Sequence, residues 1–231
     1  MPVHIERKNI RRAWLRVKAD GSVQVSAPYT MSTKKLNEFV SSHTGWIEQQ
    51  QLKQQARRAH TAQWLEGEKL SLWGVNYPIR WREALDDSSS ISFEHGEIVM
   101  TLTESGSSHD DTGLAIRTEL IDSLLKAECT RQLDEFRDNA ERLVGHQASH
   151  YSLRKMKTRW GSCTHKTRRI RLNYQLALYE PRFLWYVLIH ELCHIEVPNH
   201  GPAFYALMDR VLPSWKEARR ELRRLSSDSL L

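Results

Sequence analysis

His190, Glu191, His194 and His200 are the side chains of this sequence whose types and spacing suit one reaction, hydrolysis by a metal-activated water. In His190-Glu-Leu-Cys-His194 the two histidines stand four apart. On a helix they share one face, one turn from each other, so both imidazoles can reach one ion. Glu191, one place after the first ligand, can reach the open coordination position and take a proton from the water there. Zinc at such a site lowers the pKa of its water and polarises the scissile bond. With 11 His and 18 Glu in 231 residues, random placement yields roughly 0.04 such matches, so chance is the weaker explanation.

The flanks strengthen this. Phe183-Leu-Trp-Tyr-Val-Leu-Ile189 leads straight into the motif, so its ionisable side chains follow a buried helical stretch and need a partner. Pro198 stops the helix, and the turn at Pro198-Asn199 lets His200 swing back as a third ligand. Three protein ligands plus water make a catalytic site, whereas four would make a structural one.

Upstream, Arg159-Trp160-Gly161-Ser162-Cys163 offers substrate-binding candidates. Gly161 permits close backbone approach by an extended substrate, and Arg159 suits a carboxylate, a phosphate or an oxyanion. The plainer alternative has Trp160 filling a core and Arg159 in a salt bridge. Cys163 and Cys193 stay outside the ligand set, Cys193 being offset from the histidines and small enough to bury. His146, His150 and His165 read as surface residues, Asn199 as a residue that orients the turn or hydrogen-bonds a ligand, and Phe204 as packing.

The elements that must hold these residues follow from periodicity. Residues 12–17 and 22–26 alternate apolar and polar around Asp20-Gly21, a hairpin signal. Ser32 caps a helix carrying Leu36, Phe39, Val40, Trp46 and Ile47, continued by a polar stretch over 48–60. Short strands are expected at 70–73, 77–81, 91–93 and 98–102. Trp64, Trp73 and Trp81 belong to the core or an interface of this part. Residues 105–113, rich in Ser, Gly and Asp, read as a linker. An amphipathic helix is expected over 114–144, then strands at 152–158 and 169–175 joined through Trp160–Cys163 and a basic loop. The motif helix over 181–197 and helices over 202–212 and 214–225 complete the chain. The fold class is therefore α+β.

Composition sets the outer limits. The hydrophobic content of 40% and charged content of 27% are those of a folded globular protein. The longest apolar run is too short to cross a bilayer, and the N-terminus has no secretory pattern. Cys129, Cys163 and Cys193, odd in number and scattered, make no disulfide framework; reduced thiols in a cytoplasmic protein are the simplest expectation. The formal charge of +6 favours anionic partners. Residues 151–179 contain no Asp or Glu but eight Lys and Arg, a segment that is either a solvated face or a surface for an anionic ligand.

His190-Glu-Leu-Cys-His-Ile-Glu-Val-Pro-Asn-His-Gly-Pro-Ala-Phe204, together with Lys157-Thr-Arg-Trp-Gly-Ser-Cys163, resembles the YgjP-like metal-dependent hydrolases, relatives of the WLM and SprT-like zincin metallopeptidases. The likeness is strongest over 156–204. The histidine spacing also matches the metzincin pattern, although Val197 stands where those proteins carry glycine. The resemblance implies a zincin-like catalytic domain, built of a helix, a small sheet and the H-E-x-x-H helix. Zinc would be held by His190, His194 and His200, with Glu191 as general base. That domain is expected over 114–231, preceded by the linker and by a strand-rich region over 1–104.

The leading expectation is a zinc metallopeptidase acting on peptide or protein. Beside it stand a nucleoside triphosphate pyrophosphohydrolase, suited by the basic segment, and a SprT-like protease recruited to DNA. Nucleic acid has no binding motif to support it. From a different class, the site is an inactive zinc-binding scaffold, against which the intact Glu191 argues. No membrane partner is expected, and the substrate and oligomeric state are not legible.

Overall fold

The computed structural model describes residues 3–18, 22–51 and 62–228. The chain divides into two compact units, 1–62 and 63–231.

In the first unit, β1 (Val3–Lys8), β2 (Trp14–Val17) and β3 (Val23–Pro28) form a sheet in the order β1-β3-β2, with β1 parallel and β2 antiparallel to β3. The expected pairing of β2 with β3 is present, while Asp20-Gly21 lies outside the described residues. Helix α1 (Thr33–Ser42) starts where the sequence indicates: the Ser32 hydroxyl accepts from the Lys35 backbone N–H at 3.3 Å. The helix is interrupted at His43 and resumes over 44–51; most of the polar stretch 48–60 is outside the described residues. Val23, Val25, Ala27, Leu36 and Ile47 form this unit's core.

The second unit begins with β4 (Lys69–Leu72), β5 (Val75–Glu83), β6 (Ser90–Glu94) and β7 (Glu97–Leu102), in the order β4-β5-β7-β6. Trp73-Gly74 and His95-Gly96 make its two hairpin turns, all four residues with positive φ, as turns matched to strand twist require. At Gly74 a side chain would also collide with Glu180. The first turn docks on the elements that follow in the chain. The Trp73 N–H donates to the Ala177 carbonyl at 2.7 Å, and its indole N–H donates to Glu128 at 3.1 Å.

The short helix α2 (Glu104–Ser107) and the long α3 (Asp111–Val144) follow. They correct the expected linker. Residues 105–113 hold α2 and the start of α3, and the division between units lies after Ala62 instead. Arg117 explains this. It is fully buried and donates to the carbonyls of Gly106 and Ser108, both at 2.7 Å, and of Gln63 at 2.9 Å. Its guanidinium lies 5.2 Å from the Trp81 ring centroid. The polar composition of 105–113 thus serves a clamp, with Asp110 capping α3 through the Gly113 N–H at 2.9 Å.

The third sheet joins β8 (His150–Arg154), β9 (Gly161–Thr164) and β10 (Arg169–Asn173) in the order β8-β10-β9, with β8 parallel and β9 antiparallel to β10. Here the expectation is corrected too: 161–164 is a paired edge strand and not a connecting loop, while 155–160 leaves the sheet. Helices α4 (Pro181–Glu196), α5 (Pro202–Val211) and α6 (Trp215–Asp228) complete the unit. Its apolar core runs from Leu70, Ile79, Ile98 and Met100 through α3 to Phe183, Leu188, Leu192 and Phe204. The arrangement is α+β, with α3, the small sheet and the motif helix in the expected order.

Candidate active site

Helix α4 carries Pro181 in its first turn, a residue whose fixed φ suits that position. Phe183, Leu184, Leu188, Ile189, Leu192 and Cys193 are fully buried, so the helix is apolar on nearly every side. Its last two turns carry the polar exceptions. The helix ends at Glu196, Val197 leaves it in an extended conformation, and Pro198 prevents its continuation. The turn returns His200 to the motif.

The three histidines converge. His200 Nε2 lies 3.1 Å from His194 Nε2 and 3.0 Å from His190 Nε2, and one ligand nitrogen from each ring falls within 4.8 Å of the others. His194 Nδ1 lies 3.0 Å from the Val197 carbonyl, a contact that fixes the proton on Nδ1 and leaves a lone pair on Nε2. A single in-plane N–H or lone pair on His200 Nε2 cannot satisfy both of its neighbours. A cation among the three nitrogens satisfies all of them. A tetrahedral zinc with Zn–N near 2.0–2.1 Å sets ligand nitrogens ~3.3 Å apart, close to these separations. Burial, then the neighbouring imidazoles, push His190 down to about 3, and burial lowers His194 as well. Both rings are therefore neutral, the form in which histidine binds metal. His190 Nδ1 is buried without a hydrogen-bond partner.

Phe204 is the platform beneath the cluster. Fully buried on α5, it stacks on His194 with centroids 4.5 Å apart and meets His190 and His200 at 4.9 Å each. The sequence reading of Phe204 as packing is correct, and what it packs against is the three converging histidines.

Glu191 is 5% exposed, and burial pushes its carboxyl up to about 8 against the pull of Arg159 and the Cys163 backbone N–H. It lies flat against β9. A Cβ on Gly161 would stand 2.6 Å from Glu191 Oε1 and 2.7 Å from its Cγ, so any side chain there would force the Glu191 carboxyl to move. Glu191, His190, His200, Trp160, Gly161 and Tyr186 line one cleft of about 370 Å³, with Arg219 and Arg223 of α6 on its wall.

A family model described as YgjP-like, metallopeptidase domain, matches residues 11–225. The chain belongs to the YgjP-like family. It carries that family's metallopeptidase domain, which implies a metal-dependent hydrolase. No curated protein matches the chain significantly. Two solved structures are similar over part of it. The abylysin zymogen of Pyrococcus abyssi, a metallopeptidase, is 23% identical, covering 41% of this chain and 95% of that one with a TM-score of 0.38. The jannalysin zymogen of Methanocaldococcus jannaschii is 19% identical, covering 40% and 94%, with a TM-score of 0.36. Among the described residues no helix is long and apolar enough to cross a membrane.

Within this metallopeptidase domain the structure gathers His190, His194, His200 and Glu191, as the sequence indicates. Trp160 and Gly161 line the same cleft, but each has a second engagement. Trp160 packs edge-to-face on Tyr179 at 5.4 Å, and Gly161 makes room for Glu191. Arg159 is exposed and acts on Glu191 through its charge. His146 pairs with Glu196 at 3.1 Å, and the three cysteines are free thiols. Two residues escaped the sequence reading. Asn173, fully buried at the end of β10, donates from Nδ2 to the carbonyls of Met156 at 2.8 Å and Arg159 at 3.3 Å. Its backbone N–H donates to the Trp160 carbonyl at 2.8 Å, so one residue holds the whole 156–160 segment. Tyr186 sits one turn before His190, and burial pushes its hydroxyl up to about 12, keeping it protonated in the cleft. The i−4 spacing from His190 is the signal that points to it.

Proposed function

We propose that this metallopeptidase domain is a zinc enzyme that cleaves peptide bonds, with His190, His194 and His200 as ligands and Glu191 as general base. The observation that carries the proposal is the convergence of three imidazole nitrogens beside a buried carboxyl at one cleft. A zinc ion bound there would act as a Lewis acid on the scissile carbonyl and acidify its water. Glu191, in its ionised form, would accept a proton from the attacking water at its carboxylate and deliver it to the leaving amine. Gly161 lets the carboxyl sit against β9, and the Cys163 N–H and Arg159 steady its ionised form. Phe204 holds the three rings against rotation. Among the described residues β9 pairs with β10 alone, and its other edge supports addition of an extended peptide as a further strand.

Metal analysis of purified protein should find about one zinc per chain, and His194→Ala should lose it; retention of the full zinc content would remove this ligand assignment. Casein, mixed peptides and nucleoside triphosphates, assayed side by side with and without chelator, test the substrate class. Chelator-sensitive peptide cleavage is the expected result. Turnover of the triphosphates with every peptide intact would replace the peptidase reading by a phosphoanhydride one, and no turnover of either would leave a zinc-binding scaffold.

A further inference from the structure

The positive charge of this chain is not spread evenly. Residues 1–62 hold 11 Lys and Arg against 4 Asp and Glu, a formal +7, whereas residues 63–231 hold 23 against 24. The whole net charge therefore belongs to the first unit, which contains none of the residues assigned to hydrolysis.

Within that unit the cations have a defined place. Along β2 and its flanks, Arg12, Trp14, Arg16 and Lys18 are exposed, alternating with the more buried Ala13, Leu15 and Val17. Leu15 and Val17 face the core, so the alternate set faces outwards. Strand register completes this outer face: Arg16 stands opposite Gln24 and His4, and Trp14 opposite Ser26 and Glu6. Glu6 is the one carboxylate of the face among the described residues, and it is engaged by Lys8 at 2.9 Å and by Gln24 at 3.0 Å. Arg12, Arg16 and Lys18 make no ion pair with any described carboxylate.

An apolar feature adjoins the charged row. Trp14 is 68% and Trp46 43% exposed, an unusual state for so large an apolar side chain. With Leu15, Phe39 and His43 they line a cavity of about 450 Å³ that opens beside β2. An indole between two arginines on a strand face, next to an aromatic cleft, matches the needs of one polymer class. Its backbone must be anionic and its bases flat and unpaired. Single-stranded nucleic acid binds through cationic tracks for phosphate and aromatic platforms for bases.

We propose that the N-terminal unit binds single-stranded nucleic acid, with phosphates on Arg12, Arg16 and Lys18 and bases stacked on Trp14 and in the Trp14–Trp46 cleft. This inference is independent of the peptidase reading and adds a binding function to the chain. A purely electrostatic partner, such as an acidic protein, would use the cations and leave the indoles idle.

The test is fluorescence anisotropy of the full-length protein with labelled oligodeoxythymidine and oligouridine of about 15 nucleotides, a length that spans such a site. Binding should weaken with salt, with log Kobs falling at a slope of about −2 for three phosphate contacts. Arg12→Glu with Arg16→Glu should weaken it at least tenfold (~) and flatten the slope. Trp14→Ala should cost about tenfold, while Trp14→Phe, which keeps a stacking face, should stay within about threefold of the parent. These side chains are exposed, so circular dichroism should show all variants folded. If one is not, competition on the unaltered chain decides alone: unlabelled oligonucleotide should displace the probe far better than polyglutamate of equal charge. Preference for either sugar supports the proposal and assigns the polymer. Polyglutamate competing equally, duplex DNA binding more tightly than single strands, or unchanged binding by Trp14→Ala would overturn it.

Discussion

Arg117 and Glu191 are both charged residues buried in long helices of the same unit, and they have opposite fates. Arg117 gives three hydrogen bonds to backbone carbonyls from Nε and Nη1 and lies over an indole, so most of its burial is offset by protein partners, although its Nη2 finds none among the described residues. Glu191 has one backbone donor and the charge of Arg159 to oppose its burial, and its carboxyl is raised to about 8 beside an open cleft. A buried charge tied to several backbone carbonyls holds structure together. One left short of partners at a cavity wall keeps its capacity to exchange protons. The two positions separate stability from chemistry.

That comparison can be broken by substitution. Glu191→Gln is isosteric and should lower kcat/KM about 10³-fold with melting temperature and metal content unchanged. Activity within a few-fold of the parent would take the general base away from Glu191. Arg117→Met should do the reverse: three carbonyls lose their donor, unfolding free energy drops by about 3 kcal/mol, and turnover at a temperature where the variant stays folded is preserved. Denaturant titration measures the first part, and a peptide assay on the folded variant the second. Gly161→Ala falls between them, because the new methyl meets the Glu191 carboxyl; about a tenfold loss of kcat is expected with a stability cost of about 1–3 kcal/mol. Equal kcat in that variant would show that the carboxyl has room to shift without consequence. The smallest effect belongs to Asn173→Ala, which releases the 156–160 segment. KM should rise a few-fold, kcat should hold nearly constant, and about 1–2 kcal/mol of stability should be lost.

The motif was legible because helical periodicity is local: four residues fix a face, and Pro198 fixes the turn that returns His200. The α+β class and the long helix, expected over 114–144, were legible on the same grounds, although its first turn, from Asp111, was read as linker. β9 was not, because four residues opening with glycine carry no alternation, and the strand exists through its pairing with β10 and its contact with Glu191. Nor was the unit boundary. Ser, Gly and Asp over 105–113 read as a tether, whereas their carbonyls are the acceptors that Arg117 needs, a contact between positions the sequence gives no reason to join. Asn173 was invisible for the same reason, since its acceptors lie 14 and 17 residues away.

The hairpin turn at Trp73-Gly74 rests against the residues that launch the motif helix, with Gly74 against Glu180 and the Trp73 N–H on Ala177. For anyone trimming this protein to its smallest working piece, the cut therefore belongs ahead of residue 63. A fragment opened at residue 114 would shed the strands that shelter the front of α4 and lay bare the apolar partners of Leu70, Ile79, Ile98 and Met100. The part that looks dispensable by composition is the wall against which the catalytic helix is built.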